Sequence, residues 1–256
     1  MSGTEHTPDY GVTNGGPVMA IFAHADDPEF VAGGALALWA AAGRRLIYVI
    51  CTDGSKGSSD PDIAPADLIA RRQEEQRAAA RAFGCEDVVF LGYEDAMLEP
   101  TLDLRRDITR EIRRYQPEIA VAFDPSVYWF GDSYIQHPDH RASGEAALAA
   151  IFPAARDHLT FPELLAEGFA PHKVEEVYLA SSATPNRWFD ISSVLDRKIA
   201  AIRAHQSQVG DGAGAFDWVR ERAHAAGKEQ GLEYAESYRF INLAARRSPA
   251  ERKVEE

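Results

Sequence analysis

Two short stretches of this 256-residue chain gather the residue types that hold metals and move protons. The first is Ala23-His24-Ala25-Asp26-Asp27-Pro28-Glu29-Phe30, with one imidazole and three carboxylates inside six positions. The second is His137-Pro138-Asp139-His140, over a hundred residues later. His24, Asp27 and His140 make a set of two imidazoles and one carboxylate with room for a water, the pattern of a catalytic zinc site. The same set suits Fe2+. A metal held there lowers the pKa of its water to about 7 and polarises a carbonyl. Asp26 is then the spare carboxylate, a general base for that water and later a general acid toward the leaving amine. His137, one helical turn before His140, is placed to donate to the oxyanion of a tetrahedral intermediate. Glu29 and Asp139 are candidate partners that fix a histidine tautomer. Together these parts spell metal-assisted hydrolysis of an amide or ester.

Each motif alone is weak. A single His-x-x-His is most often surface histidine, and an Asp pair near a helix start most often caps the helix or sits on its dipole. The force of the reading lies in the two motifs jointly, each following a buried strand. Val18–Ala23, Leu46–Cys51, Val88–Leu91 and Ile119–Phe123 are apolar runs of strand length, as in a parallel sheet buried on both faces. Helical patterns alternate with them over 34–42, 65–83, 102–115 and 139–152, with Pro65 in a first turn, Gly43 and Gly84 as stops and Thr101 as an N-cap. Further strands are expected at 174–180 and 187–191, with Tyr238–Leu243 as a late edge strand, and helices at 194–205 and 216–226. A long irregular loop, 124–137, carries Tyr128, Trp129 and Phe130; stacking on a sugar ring and packing against the protein's own surface are equally open to it. Strands alternating with helices argue for an α/β fold with right-handed crossovers. In a 3-2-1-4-5 order, strand one lies beside strand four, and ligands bind at that switch point beyond the strand ends. His24 and the His137/His140 segment follow those two strands.

Composition bounds the partners. The net charge is −13 and no basic stripe interrupts it, which argues against nucleic acid and anionic membrane surfaces. No run approaches a membrane span and the N-terminus has no signal pattern, so a cytoplasmic protein is expected. Cys51 and Cys85 have no metal-ligand spacing and read as thiols in a reducing compartment. Residues 1–16 read as a lead-in, 17–244 as a single domain and 245–256 as a charged tail. The sequence leaves a homo-oligomer open.

At these motifs the chain resembles the PIG-L (LmbE-like) family of zinc-dependent de-N-acetylases. Ala23–Glu29 resembles the family's A-H-P-D-D-x-E, and Thr52-Asp53-Gly54 its T-D-G loop. Arg72-Gln73-Glu74-Glu75, with Phe83-Gly84, resembles its R-x-x-E…L-G, and His137–His140 its H-x-x-H. The resemblance implies a Rossmann-like three-layer α/β domain with a mostly parallel sheet and a C-terminal substrate-side extension from about Glu163. It implies zinc on His24, Asp27 and His140, Asp26 as general base, His137 on the oxyanion side, and Arg72 and Asp95 toward substrate. The implied partner is a small-molecule sugar conjugate, an N-acetylglucosaminyl group on a variable aglycone. The chain departs from the family at Ala25, where proline is usual, and at Ile135, where some relatives have a tyrosine and this chain has Tyr134 one position earlier.

Two other readings compete with deacetylation. One is a zinc amidase for a larger acyl or thiol-conjugate amide, which would differ in the acyl pocket. The other is a metal- or nucleotide-binding module without catalysis. No G-x-G-x-x-G follows the first strand, and a structural metal site would need no spare base such as Asp26.

Overall fold

The structure, a computed structural model, describes residues 13–209 and 216–244. Most of the expected lead-in (1–12), residues 210–215 and the charged tail (245–256) lie outside the described residues.

Strand β1 (Val18–Phe22) is five apolar residues, all buried. Val18, Ala20 and Phe22 enter one hydrophobic core, Met19 and Ile21 another on the opposite face. Two cores, one on each face, are why the run is continuously apolar rather than alternating. Helix α1 (Asp27–Ala41) returns the chain to β2 (Leu46–Thr52), and α2 (Pro65–Phe83) leads to β3 (Asp87–Tyr93). Helix α3 (Leu102–Tyr115) then crosses to β4 (Ile119–Phe123). A small hairpin, β5 (Trp129–Phe130) and β6 (Tyr134–Ile135), precedes α4 (Pro138–Ile151) and α5 (Pro162–Ala166). The remaining elements are β7 (Glu176–Ala180), β8 (Arg187–Asp190), α6 (Leu195–Ile202), α7 (Gln206–Val209), α8 (Asp217–Lys228) and β9 (Ala235–Asn242).

The main sheet runs β3-β2-β1-β4-β7-β9-β8. The first five strands in that order are parallel, as the 3-2-1-4-5 expectation requires, while β9 is antiparallel to both its neighbours. Residues of α1, α2, α6 and α8 join the core on one face, and residues of α3 and α4 the core on the other. The chain is therefore a three-layer α/β fold with its switch point between β1 and β4.

Three details differ from the sequence expectation. The last strand lies between β7 and β8 rather than at an edge. Ala235 and Tyr238 of β9 are fully covered, and the edge falls to the shorter, half-exposed β8. Helix α1 starts at Asp27 rather than Gly34, because Pro28 suits its first turn and Asp27 and Glu29 sit favourably on its N-terminal dipole. Gly34, inside that helix, is a packing residue: a Cβ there would lie 2.5 Å from Ile191 Cγ2, so glycine lets the helix approach the sheet extension. The 124–137 segment is not wholly irregular, since Trp129 pairs with Ile135 and Phe130 with Tyr134 in an antiparallel hairpin. No helix among the described residues is long and apolar enough to cross a membrane.

Candidate metal and catalytic centre

β1 ends at Phe22 and releases His24, Asp26 and Asp27 in the turn that opens α1. β4 ends beside it at Phe123, and the connection brings back His137 as the N-cap of α4 with His140 in its first turn. The imidazole of His24 lies 4.8 Å from that of His137 and 5.2 Å from that of His140, centroid to centroid. Phe123 stacks on His140 at 4.0 Å, so the last residue of β4 fixes the plane of that ring.

Among the described residues, two groupings bring three ligand-type side chains within 4.8 Å of one another: His24, His137 and His140, and His24, Asp95 and Asp139. Hydrogen-bond partners sort their roles. His24 Nε2 is 3.2 Å from both Asp139 Oδ2 and Asp95 Oδ1, so in the neutral ring that nitrogen carries the proton and Nδ1 offers its lone pair. His140 Nδ1 is 3.3 Å from Gln136 Oε1, an acceptor, so its Nε2 is the free lone pair. His24 Nδ1 is 3.4 Å from Asp27 Oδ2, and His140 Nε2 is 3.3 Å from Asp27 Oδ1. Two imidazole lone pairs thus face one carboxylate, an arrangement that repels unless a proton or a cation sits within it. Asp139 is engaged elsewhere, accepting from Ala96 N at 2.7 Å and Leu98 N at 3.3 Å. Asp27 Oδ2 also accepts the His24 backbone N–H at 2.7 Å, so His24, Asp27 and His140 converge with Asp27 Oδ1 facing His140.

The electrostatics agree. Burial opposes charge on His24, but hydrogen bonds to Asp139, Asp27 and Asp95 prevail and push its pKa up to about 12. Burial alone would raise Asp27, yet His140 and His24 hold it well below the usual carboxylate range. The cluster demands positive charge at its centre. His137 differs: burial and the charge of His24 lower its pKa, keeping it neutral. Its Nδ1 accepts the Asp139 N–H at 3.2 Å, which leaves Nε2–H as a donor.

Asp26 lies beside this set, buried and in a left-handed backbone conformation, φ 102. Its N–H donates to Gln76 Oε1 at 2.8 Å, and its carboxyl accepts from Arg72 Nη2 at 3.2 Å. Burial and the charge of Asp27 raise its pKa, against Arg72, His205 and His24, to about 6.

Three more of the expected residues have partners of their own. Arg72 is buried and bonds to Asp26, Ala25 O and Gly54 O, so it braces the turn rather than lining the cavity described below. Asp95 is buried against His24 and accepts from Lys56 N, likewise away from that cavity. Glu29 does fix a histidine, but it is His205, at 3.1 Å, and not a member of the candidate ligand set.

A cavity of about 480 Å³ opens from Asp27 and His140. Phe130 and Tyr134 of the hairpin line it, while Trp129 and Ile135 point to solvent. Its far-sequence wall comes from Ser181, Trp218 and Arg222. That volume is in the range of small-molecule sites.

The sequence profile described as "PIG-L: GlcNAc-PI de-N-acetylase" matches residues 19–151, a little over half of the chain. The chain belongs to the PIG-L family. It is 32% identical over 226 residues to the diacetylchitobiose deacetylase of Thermococcus kodakarensis, covering 88% of this chain and 82% of that one. It is 28% identical over 196 residues to a probable N-acetyl-α-D-glucosaminyl L-malate deacetylase 2 of Bacillus anthracis, covering 75% and 80%. The solved N,N′-diacetylchitobiose deacetylase of Pyrococcus horikoshii, bound to an inhibitor, superimposes with a TM-score of 0.80 at 28% identity, over 91% of this chain and 86% of that one.

The PIG-L match spans every residue from His24 to His140 but ends before β7. Ser181, Trp218 and Arg222 lie outside it, so the cavity joins a family-matched floor to a wall the family profile does not describe. Sequence reasoning missed these three, and also Gln76, Gln136 and Phe123. Gln76 had one visible signal, its i+4 spacing from Arg72 on a helix face that otherwise carries Leu68, Ala79 and Phe83.

Proposed function

We propose that this PIG-L protein is a metal-dependent amide hydrolase that removes the acetyl group from an N-acetylglucosaminyl-type conjugate, with His24, Asp27 and His140 holding the metal. The observation that carries this is the convergence of two imidazole lone pairs on the Asp27 carboxylate beside an open cavity. The family membership and the deacetylase names of its relatives support it. Zinc, or Fe2+ on the same ligands, would supply Lewis-acid polarisation of the amide carbonyl and a lowered pKa for a bound water.

The chain's own groups do the rest. Asp95 and Asp139 orient the His24 ring, and Gln136 with Phe123 orients His140. Asp26, with a pKa near 6, is ionised at neutral pH yet basic enough to accept the proton of the attacking water and return it to the leaving amine. Arg72 donates to that carboxylate and Gln76 accepts the Asp26 backbone N–H, which together hold the residue in place. Neutral His137 donates Nε2–H to the oxygen on which negative charge builds. The same reading takes 17–244 as one catalytic unit, because the cavity is walled by both halves of the chain.

The test is amine release from diacetylchitobiose and from N-acetylglucosaminyl malate, by metal-loaded and by chelated protein. Release is expected only with metal. Asp26→Ala should keep the metal stoichiometry and lower kcat by about 10²–10⁴-fold. Turnover that survives chelation, or survives loss of Asp26, would sink this mechanism.

A further inference from the structure

Charge is distributed unevenly over the cavity. A second cavity of about 210 Å³ shares Phe30, Phe130, Ser181, Trp218 and Arg222 with the first and extends to Lys198 and Glu236. Lys198 and Glu236 neutralise each other at 2.6 Å. Arg222 is therefore the uncompensated cation on the wall common to both cavities. Among the described residues no carboxylate pairs with it, whereas its helix neighbour Arg220 bonds Asp196 at 2.7 Å and Arg203 lies over the Phe216 ring. In a chain of net charge −13, a bare guanidinium at a cavity is a local reversal of the prevailing field.

Its surroundings are built for a ligand. Trp218 is four residues earlier on α8, hence on the same face, and its half-exposed ring packs 5.6 Å from Phe30. Ser181, at the end of β7, sits at φ 56, a conformation uncommon outside glycine and concentrated at binding sites. A molecule whose acylated end lies by Asp27 and His140 and which continues into the second cavity must pass this wall.

We propose that Arg222, with Trp218 and Ser181, forms a subsite for an anionic aglycone, a carboxylate or phosphate group carried beyond the N-acylated sugar. This rests on the hydrolase reading above and adds the substrate's charge class to it. The guanidinium pairs with the anion in fork geometry, and the indole covers the linking atoms. The preferred substrates are then acidic conjugates rather than a neutral disaccharide.

The experiment compares kcat/KM of metal-loaded protein on N-acetylglucosaminyl malate and N-acetylglucosamine 1-phosphate with that on neutral diacetylchitobiose. The two acidic arms separate carboxylate from phosphate recognition. Hydrogen bonds to charged groups are worth about 1.5–3 kcal/mol, so Arg222→Glu should cost the preferred acidic conjugate on the order of 10–100-fold, mainly through KM. The neutral disaccharide, with no charge to pair, should lose less than the acidic conjugate, so the acidic-to-neutral ratio falls, and Arg222→Lys should recover part of that ratio. Arg222 is exposed, so these variants fold. An acidic-to-neutral ratio unmoved by Arg222→Glu overturns the subsite and leaves the hydrolase reading standing. If no conjugate releases amine, the hydrolase reading falls. Calorimetric binding of the same three compounds to wild type and Arg222→Glu then decides the subsite: equal binding by both proteins overturns it, and selective loss of the acidic compounds upholds it.

Discussion

Asp26 is held at φ 102 by contacts that come from one helix, α2: Gln76 takes its N–H and Arg72 takes its carboxyl. Gln76 is in turn anchored through its Nε2, 3.1 Å from both oxygens of Glu29, and Glu29 is paired with buried His205. The base therefore sits at the end of a buried relay, and burial next to Asp27 lifts its pKa to about 6. A general base works only when deprotonated, so activity must fall as pH drops through that value. The expected kcat/KM profile is flat above pH 7 and declines tenfold per unit below about 6, or somewhat lower with a cation bound, since positive charge favours the carboxylate. Metal content measured at each pH separates this limb from loss of the metal. A profile with no ascending limb while metal is retained would exclude Asp26 as the base. The residue scale also shows what sequence can reveal. His24, Asp26, Asp27, His137 and His140 were legible because clustered imidazoles and carboxylates have few other reasons to follow buried strands. Gln76, Gln136 and Phe123 were not, because an amide or a phenyl ring acquires its role only from what the fold sets against it.

At the scale of elements, the distance between α4 and β4 decides where His140 meets His24 and Asp27. Gly144 sets that distance: a Cβ there would come 2.5 Å from the Phe123 carbonyl oxygen, a backbone atom that cannot swing aside. Phe123 also stacks on His140, so a shift of α4 disturbs the ring and its support together. Gly144→Ala should destabilise by about 1–3 kcal/mol, the usual cost of overpacking, despite alanine's better helix propensity. It should also weaken metal affinity, read by competition with a chelator. Unchanged metal affinity and stability would mean that α4 does not set the site. The parallel strands and most helices were legible from continuous apolar runs and stops such as Gly84. The start of α1 was not: the helical pattern was read only from residue 34, whereas Gly34 is explained only by the closeness of Ile191, over a hundred and fifty residues away. The place of β9 inside the sheet was hidden for a related reason, since Arg239 and Glu236 interrupt its apolar pattern.

At the scale of the whole molecule, Glu236 joins the first helix to the last strand. Its carboxylate accepts from Gly34 N at 2.7 Å and Ala35 N at 2.9 Å on α1, from Lys198 Nζ at 2.6 Å on α6, and from Tyr238 O–H at 2.6 Å on β9 itself. Lys198 also reaches Phe30 O, so the ammonium and the carboxylate are satisfied on several sides. Both residues are buried, with side chains only 6% exposed, and neither finds enough water to replace a lost partner. Glu236→Ala leaves the Lys198 ammonium buried without its counter-charge, and breaking such a pair costs about 3–5 kcal/mol. That is a large share of the roughly 5–15 kcal/mol that holds a domain folded. The double variant Lys198→Met/Glu236→Leu leaves no orphan ion and should lose less than the single one, although Gly34 N, Ala35 N and the Tyr238 hydroxyl still lose their acceptor. Denaturant midpoints at constant m-value would measure both. A Glu236→Ala variant within about 1 kcal/mol of wild type would show that the tie does not bear on stability. A loss near the expected size, smaller in the double variant, would mean that the C-terminal strands anchor the helix whose first residue is Asp27, and so hold the candidate ligand set from the far end of the chain.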